Sequence, residues 1–453
     1  MSLTRKRKPE ISTVEGRDCI VCDIGSGLTK VGLASDYMPS VIVPTIVGRP
    51  VVRDHLKYSR HLVSEPSTEN IPEEYLVLRK PATDEKPSTS LFQSVGELYV
   101  GSDARERQSF LDLSRPVDKG IVRSWTDVEA IFEKLFSSMS LNDRVLTPSN
   151  QRPKKTSAAT DSRSCISMDS KSVVITDSMS NSISGRLKII EMMFETFSFD
   201  MFNLSPSAAL TLASRGSTSG LVVDVGDTKT EIVPVVSGFV QKGSIRTSDL
   251  GGRTVTNRLM DLLKLGDSAN YRLDRDRDFY MMERAKENLC YVATDLGEER
   301  YLADTTALLS QQLTLPDKTL VVNSERFMAS EILFQPGFLG DFDRLGIPGL
   351  VTESIQTCAI DLRQSLFKSI VLSGGSSLIP GFTSRLRQEL TTTSIGGIGI
   401  DDTPTRQFSA FIGGCVMAQT TVSDNGWWID KKEYEERGSS ACIQRLFAPP
   451  PAS

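Results

Sequence analysis

Residues 220–235 read GLVVDVGDTKTEIVPV, and residues 21–36 read VCDIGSGLTKVGLASD. Each copy is an apolar strand ending in Asp-x-Gly, a short polar turn, and a second apolar strand. One copy alone reads as a plain hairpin. Two copies point to a duplicated architecture with a specific use. Small residues at the tips let backbone N–H groups form a concave anion site. Lys30 adds positive charge for a phosphate. Asp23 and Asp224, set to face each other, can hold Mg2+ through water, because this ion keeps much of its hydration shell.

A third element works with these two. Residues 372–381 read LSGGSSLIPG, a strand, a glycine turn and the start of a helix. Gly374 and Gly375 permit close backbone approach to a flat ligand; taken alone, the segment is equally an ordinary strand–helix connection. Further short apolar runs, Ile20-Val21-Cys22, Val173-Val174-Ile175, Leu221-Val222-Val223 and Ile370-Val371-Leu372, read as buried strands entering functional turns. Helical spacing links Trp125, Val128, Phe132 and Leu135, with Ser124 as N-cap. It recurs at Leu187, Ile190, Phe194 and Phe197, and at Phe382, Leu386 and Leu390. These stripes are core-facing surfaces, and the alternation makes an α/β protein.

The 453 residues allow about two to four domains. The 52 basic and 57 acidic residues leave a net charge of only -5, so no basic field argues for direct nucleic-acid binding. No run of apolar residues is long enough for a membrane span, and the charged start MSLTRKRKPE is no secretory signal. The 7 cysteines make neither a disulfide scaffold nor a zinc site, since Cys19 and Cys22 form a lone C-x-x-C. His55 and His61 are too few for a His-based metal centre. Three stretches interrupt the globular pattern. Residues 1–17, with the run Arg5-Lys6-Arg7-Lys8, read as a disordered arm or a nuclear-import signal. Residues 53–93 and 147–171 are polar insertions that bury too little to fold by themselves.

The segments PTIVGRP, GIVRSWTDVE, MMFETF, KENLCYVATD, ERFMASEILFQPGFLG, FIGGCVMA and KKEYEERG, with the three turns above, occur in the order found in actin. The sequence resembles the actin family across residues 18–447, apart from the two insertions. The resemblance implies duplicated ribonuclease H-like domains flanking a cleft for ATP or ADP with Mg2+. One domain would span 18–207 plus 409–447 and the other 208–408, with 448–453 a tail. Matched residue by residue, the first phosphate loop is Gly25, Ser26, Gly27, Leu28 and Lys30, and the second is Gly226, Asp227 and Thr228. Gly252, Lys286 and Glu287 match residues around the ribose and base. Gly374, Gly375, Ser376, Ser377 and Leu378 match the adenine-side turn, and Asp23 and Asp224 the metal-site aspartates.

The departures from the family include most of its hydrolytic apparatus. Ser207 stands at the water-positioning Gln and Glu231 at the water-positioning His. Ile24 replaces a polar residue, Thr228 a glycine, Ile379 an aromatic and Gln407 a lysine. The resemblance therefore implies an actin-related protein that binds ATP and hydrolyses it slowly or not at all. GRPVVR, TSRLRQELT and DNGWWIDKKEYEERG point to the actin-related subunit of the branching nucleator, a cytoplasmic cytoskeletal protein whose partners are actin, other actin-related proteins and further complex subunits. DLRQSLFKSIVLSGGSSL also fits the dynactin type, and the basic arm fits a nuclear chromatin-remodelling type. A lineage-specific form with an active ATPase is a further alternative. A sugar kinase shares the duplicated fold, but no signal for a sugar pocket accompanies it.

Overall fold

A computed structural model describes residues 18–50, 98–146, 168–265, 278–315, 319–392, 397–421 and 426–447. The basic arm, the tail, the insertion 53–93 and all but residues 168–171 of the second insertion lie outside them. In chain order the strands are β1 (Cys19–Ile24), β2 (Leu28–Leu33), β3 (Val41–Pro44), β4 (Val47–Pro50), β5 (Tyr99–Val100), β6 (Leu111–Ser114), β7 (Val117–Asp118), β8 (Ile121–Val122), β9 (Ser172–Asp177) and β10 (Met201–Pro206). There follow β11 (Gly220–Val225), β12 (Thr230–Val236), β13 (Phe239–Val240), β14 (Arg246–Ser248), β15 (Gln311–Thr314), β16 (Thr319–Val322), β17 (Ile370–Ser373), β18 (Ile400–Asp401) and β19 (Ile429–Asp430).

Two mixed sheets carry the architecture. The first has the order β19-β10-β9-β1-β2-β3, the second β13-β12-β11-β17-β18 with β14 also on β12. In each, an antiparallel hairpin (β1–β2, β11–β12) lies beside a parallel strand (β9, β17). This repeats one plan twice, as the two Asp-x-Gly segments lead one to expect. All four apolar runs read from the sequence are strands, and their residues are buried.

Strand alternation decides which layer covers each face. Ile20, Cys22, Val173 and Ile175 face the helix Trp125–Leu146, through Val128, Phe132 and Leu135, and the helix Ile183–Glu191. Val21 and Val174 face the helix Ser409–Thr420 through Phe411 and Cys415. In the second sheet Leu221, Val223 and Leu372 share a core with Phe382, Leu386 and Leu390. Val222 and Val371 pack on Ala208 and Leu212 of the helix Ser207–Ala213. That helix packs in turn against Ser409–Thr420, so the layers of the two sheets meet there.

The helix beginning at Trp125 has Ser124 at its N-cap position, where its carbonyl accepts from the Val128 amide at 3.2 Å and its hydroxyl pairs with Thr126 Oγ1 at 3.2 Å. The stripe from Leu187 to Phe197 is less regular. The helix widens into a π turn at Met192–Thr196. Phe194 and Phe197 are nonetheless both buried.

Candidate functional site

The two hairpins fold alike at atomic detail. Gly25 N–H donates to Leu28 O at 3.0 Å, and Gly226 N–H to Lys229 O at 2.9 Å. Their tips come together: a β-carbon on Gly27 would lie 3.0 Å from Asp227 Cβ. Between them and the turn after β17 lies a cavity of about 530 Å³, within the size range of small-molecule sites. Of the residues singled out from the sequence, Asp23, Gly25, Ser26, Gly27, Leu28, Lys30, Ser207, Asp224, Gly226, Asp227, Glu231, Lys286, Glu287, Gly374, Gly375, Ser376 and Leu378 line it, as do Ile24, Ile379 and Gln407.

Three expected residues stand behind the wall. Thr228 accepts a hydrogen bond from Lys119 N at 2.9 Å through its Oγ1. Gly252 donates its N–H to Gly226 O at 3.0 Å and accepts from Lys286 Nζ at 3.2 Å. Ser377 is fully buried, donates its hydroxyl to Gly374 O at 2.7 Å and accepts from Arg406 Nε at 3.0 Å. Alternate residues of a tight turn point opposite ways, so part of each motif supports the turn.

The two aspartates end β1 and β11 at equivalent places. Asp23 accepts from Thr176 Oγ1 and from Lys30 Nζ, both at 2.7 Å. Lys30 also donates to Gln407 O at 2.9 Å, so the residue standing at the family's lysine contributes its backbone. Asp224 titrates at about 6, raised first by burial and then by the negative charge of Glu231, with Lys229 pulling the other way. Among the described residues no group of three or more His, Cys, Asp or Glu side chains is placed to hold a metal directly. Two cleft carboxylates are the hard oxygen donors that suit a hydrated Mg2+, and a dication would hold Asp224 ionised.

Several lining residues were not legible as site residues. Arg105 Nη2 lies 3.1 Å from Glu283 Oε2, with its guanidinium 4.6 Å from the centre of the Tyr280 ring. Arg115 stands 4.9 Å from the Phe279 ring. The Arg105 contacts join the helices Ser102–Glu106 and Phe279–Leu289, and Arg115 reaches the second of these from just after β6. Ser178 and Gly120 line the inner wall, and Arg253 pairs with Asp227 at 2.7 Å. Ser178 had one signal, its place just after a buried strand; the arginines had none.

Duplicated hairpins closing on a glycine-lined cavity, with an aspartate at the mouth of each, define an actin-type cleft. The chain belongs to the actin family, whose model, described as Actin, matches residues 14–447. Among individual proteins it is similar to actin-related protein 2 of Saccharomyces cerevisiae, at 33% identity over 436 residues, covering 93% of this chain and 97% of the yeast protein. The proteins of the same name from Drosophila melanogaster and Caenorhabditis briggsae are also 33% identical, each over 95% of this chain and 98% of their own. These relatives do not favour the dynactin-type or nuclear alternatives. No helix of the described residues is long and apolar enough to cross a membrane.

Proposed function

We propose that this chain binds Mg-ATP in its cleft and acts as the actin-related protein 2-type subunit of an actin-nucleating assembly. The observation that carries the nucleotide reading is the paired geometry of Gly25–Leu28 and Gly226–Lys229 around one cavity. The three relatives named actin-related protein 2 support the assembly reading. On this reading residues 18–207 with 409–447 form one domain and 208–408 the other. Actin and further subunits are the partners, and the cytoplasmic cytoskeleton is the place of action.

The cleft residues divide the work. The glycine tips admit the phosphates against backbone, and Lys30 adds a charge-assisted contact. Asp23 and Asp224 would hold a hydrated Mg2+, which would neutralise phosphate charge. Gly374, Gly375 and Leu378 form the wall for the base, and Lys286 and Glu287 reach the ribose side. Ser207 and Glu231, in place of Gln and His, leave the attacking water poorly held, so nucleotide serves mainly to set the state of the cleft.

Calorimetry on metal-stripped protein tests the nucleotide reading. Mg-ATP is expected to bind, and Lys30→Ala to weaken it by about 1.5–3 kcal/mol. No affinity for either ATP or ADP removes the cleft from the mechanism. Pull-down from native lysate tests the assembly; recovery of dynactin or chromatin-remodelling subunits in place of nucleator subunits rejects it.

A further inference from the structure

The two hairpins differ at one position that bears directly on the cleft. In the first, Asp23 faces Lys30 across the ladder; in the second, Asp224 faces Glu231. A carboxylate thus stands where the duplicate carries an ammonium. The missing positive charge returns from the neighbouring turn. Lys229 places its Nζ 2.5 Å from Glu231 Oε1, and only 13% and 3% of these two side chains are exposed. Lys229 also donates to Ser178 Oγ at 2.5 Å and Ser180 Oγ at 3.2 Å. Gly120, at φ +75°, leaves room for it, since a β-carbon there would lie 2.4 Å from Lys229 Nζ.

Glu231 is not dependent on the lysine alone. It accepts from Ser180 N at 3.2 Å, Ser180 Oγ at 2.7 Å and Ser178 Oγ at 3.2 Å. The carboxylate therefore keeps hydrogen-bond donors if Lys229 turns away. The other lysines lining the cleft are committed elsewhere, Lys30 to Asp23 and Lys286 to Gly252 O. Lys286 and Ser376 serve the flank of the second hairpin that meets Gly252 and Gly226 O. Lys229 has other neighbours, Gly120 and Ser178.

We propose that Lys229 is the residue by which this cleft distinguishes a nucleoside triphosphate from a diphosphate, and that Glu231 holds it in place when no third phosphate is present. The inference rests on the nucleotide reading of the cleft. A diphosphate occupies the glycine tips. A third phosphate extends past them to the flank where Lys229 waits, and its greater negative charge competes with Glu231 for one ammonium. The serine hydroxyls and the Ser180 amide keep Glu231 satisfied after the exchange, which lowers the cost of losing its partner.

Calorimetry with Mg-ATP and Mg-ADP on the full chain tests this. Lys229→Met should weaken ATP by about tenfold to a hundredfold, the loss of one charge-assisted contact, and change ADP by less than about twofold. Glu231→Gln, which releases Lys229, should tighten ATP and leave ADP unchanged. Lys229→Met leaves a buried carboxylate without its cation and can fail to fold; the double variant Lys229→Met with Glu231→Gln removes both charges and should show the same loss of ATP preference. Retention of the wild-type ATP-to-ADP ratio in the double variant overturns the proposal, and so does an equal loss for both nucleotides. Wild-type protein that binds neither nucleotide overturns the cleft reading itself and is told apart by that result.

Discussion

Gly374 lies against the carboxylate of Asp224. A β-carbon on Gly374 would stand 2.5 Å from Asp224 Oδ1 and 2.3 Å from Val225 O, and its φ is +83°. No L side chain is comfortable in that conformation, and the contact leaves no room for one. We predict that Gly374→Ala costs about 2–4 kcal/mol of stability and displaces Asp224 from its place on the cavity. Denaturant unfolding checks the first part and Mg-ATP titration the second. An unchanged midpoint would show that the turn has freedom that the packing denies.

Hydrolysis should be slower than in actin. Ser207 lines the cavity at the start of its helix, and its side chain is shorter than the glutamine of the family, so it reaches less far towards an attacking water. Glu231 is already engaged by Lys229, Ser178 and Ser180. Single-turnover measurement on Ser207→Gln with Glu231→His should recover about tenfold or more in rate, a modest share of what a placed base supplies. If the unmodified chain matches actin and Glu231→Ala abolishes its rate, Glu231 is a replacement base and the prediction fails.

The buried pair Glu331–Arg385 makes stability depend on pH. Arg385 Nη2 is 3.0 Å from Glu331 Oε1, and Arg385 Nη1 also donates to Ala293 O at 2.7 Å. Burial raises Glu331 from its ordinary 4.5 to about 7, against the pull of Arg385. The folded state thus holds the proton more tightly than the unfolded chain. The resulting stabilisation is full below the unfolded value and is lost as pH rises through about 7. Between about pH 5.5 and pH 8, wild-type protein should lose more stability than Glu331→Gln. Parallel chemical-denaturation curves decide; equal pH slopes would remove Glu331 from the account.

Residues 51–97 leave and return at adjoining places, because Gly48 faces Tyr99 and Val47 faces Val100 on paired strands. Replacing them with a short Gly-Ser turn should keep stability within about 1 kcal/mol, since loop length adds little to closure entropy. Nucleotide affinity should not change. In the intact chain this length opposes ordered repeat contacts, so we expect no long homofilaments under salt and Mg-ATP conditions that polymerise actin. Sedimentation of the chain alone checks this.

The parts of the fold legible in the sequence were those that satisfy one strong local rule. Val173 to Ile175 and Leu221 to Val223 are continuous apolar runs because both faces of their sheets are covered. The hairpins announced themselves through Asp-x-Gly. β19 was invisible, since Ile429 and Asp430 are too few to show a period and pair only because β10 offers an edge. The contact of Arg105 with Glu283 and the seat of Lys229 beside Gly120 arise when distant segments meet, and no local spacing encodes that meeting. The actin resemblance supplied what local rules could not, down to the residues on which this chain departs.

The threading of the sheets sets an order of events during synthesis. All strands of the second sheet lie between residues 220 and 401. The first sheet takes its inner strands from residues before 207 and its edge from Ile429–Asp430, while the helix over Val21 and Val174 begins at Ser409. As the ribosome works, the later-made sheet can close first. The earlier-made one must wait with an apolar face bare until the helix Ser409–Thr420 has emerged. During that interval the nascent chain is most exposed to aggregation and most in need of something to hold it. A message truncated before codon 409 would therefore yield a sound second half attached to a sticky, unfinished first.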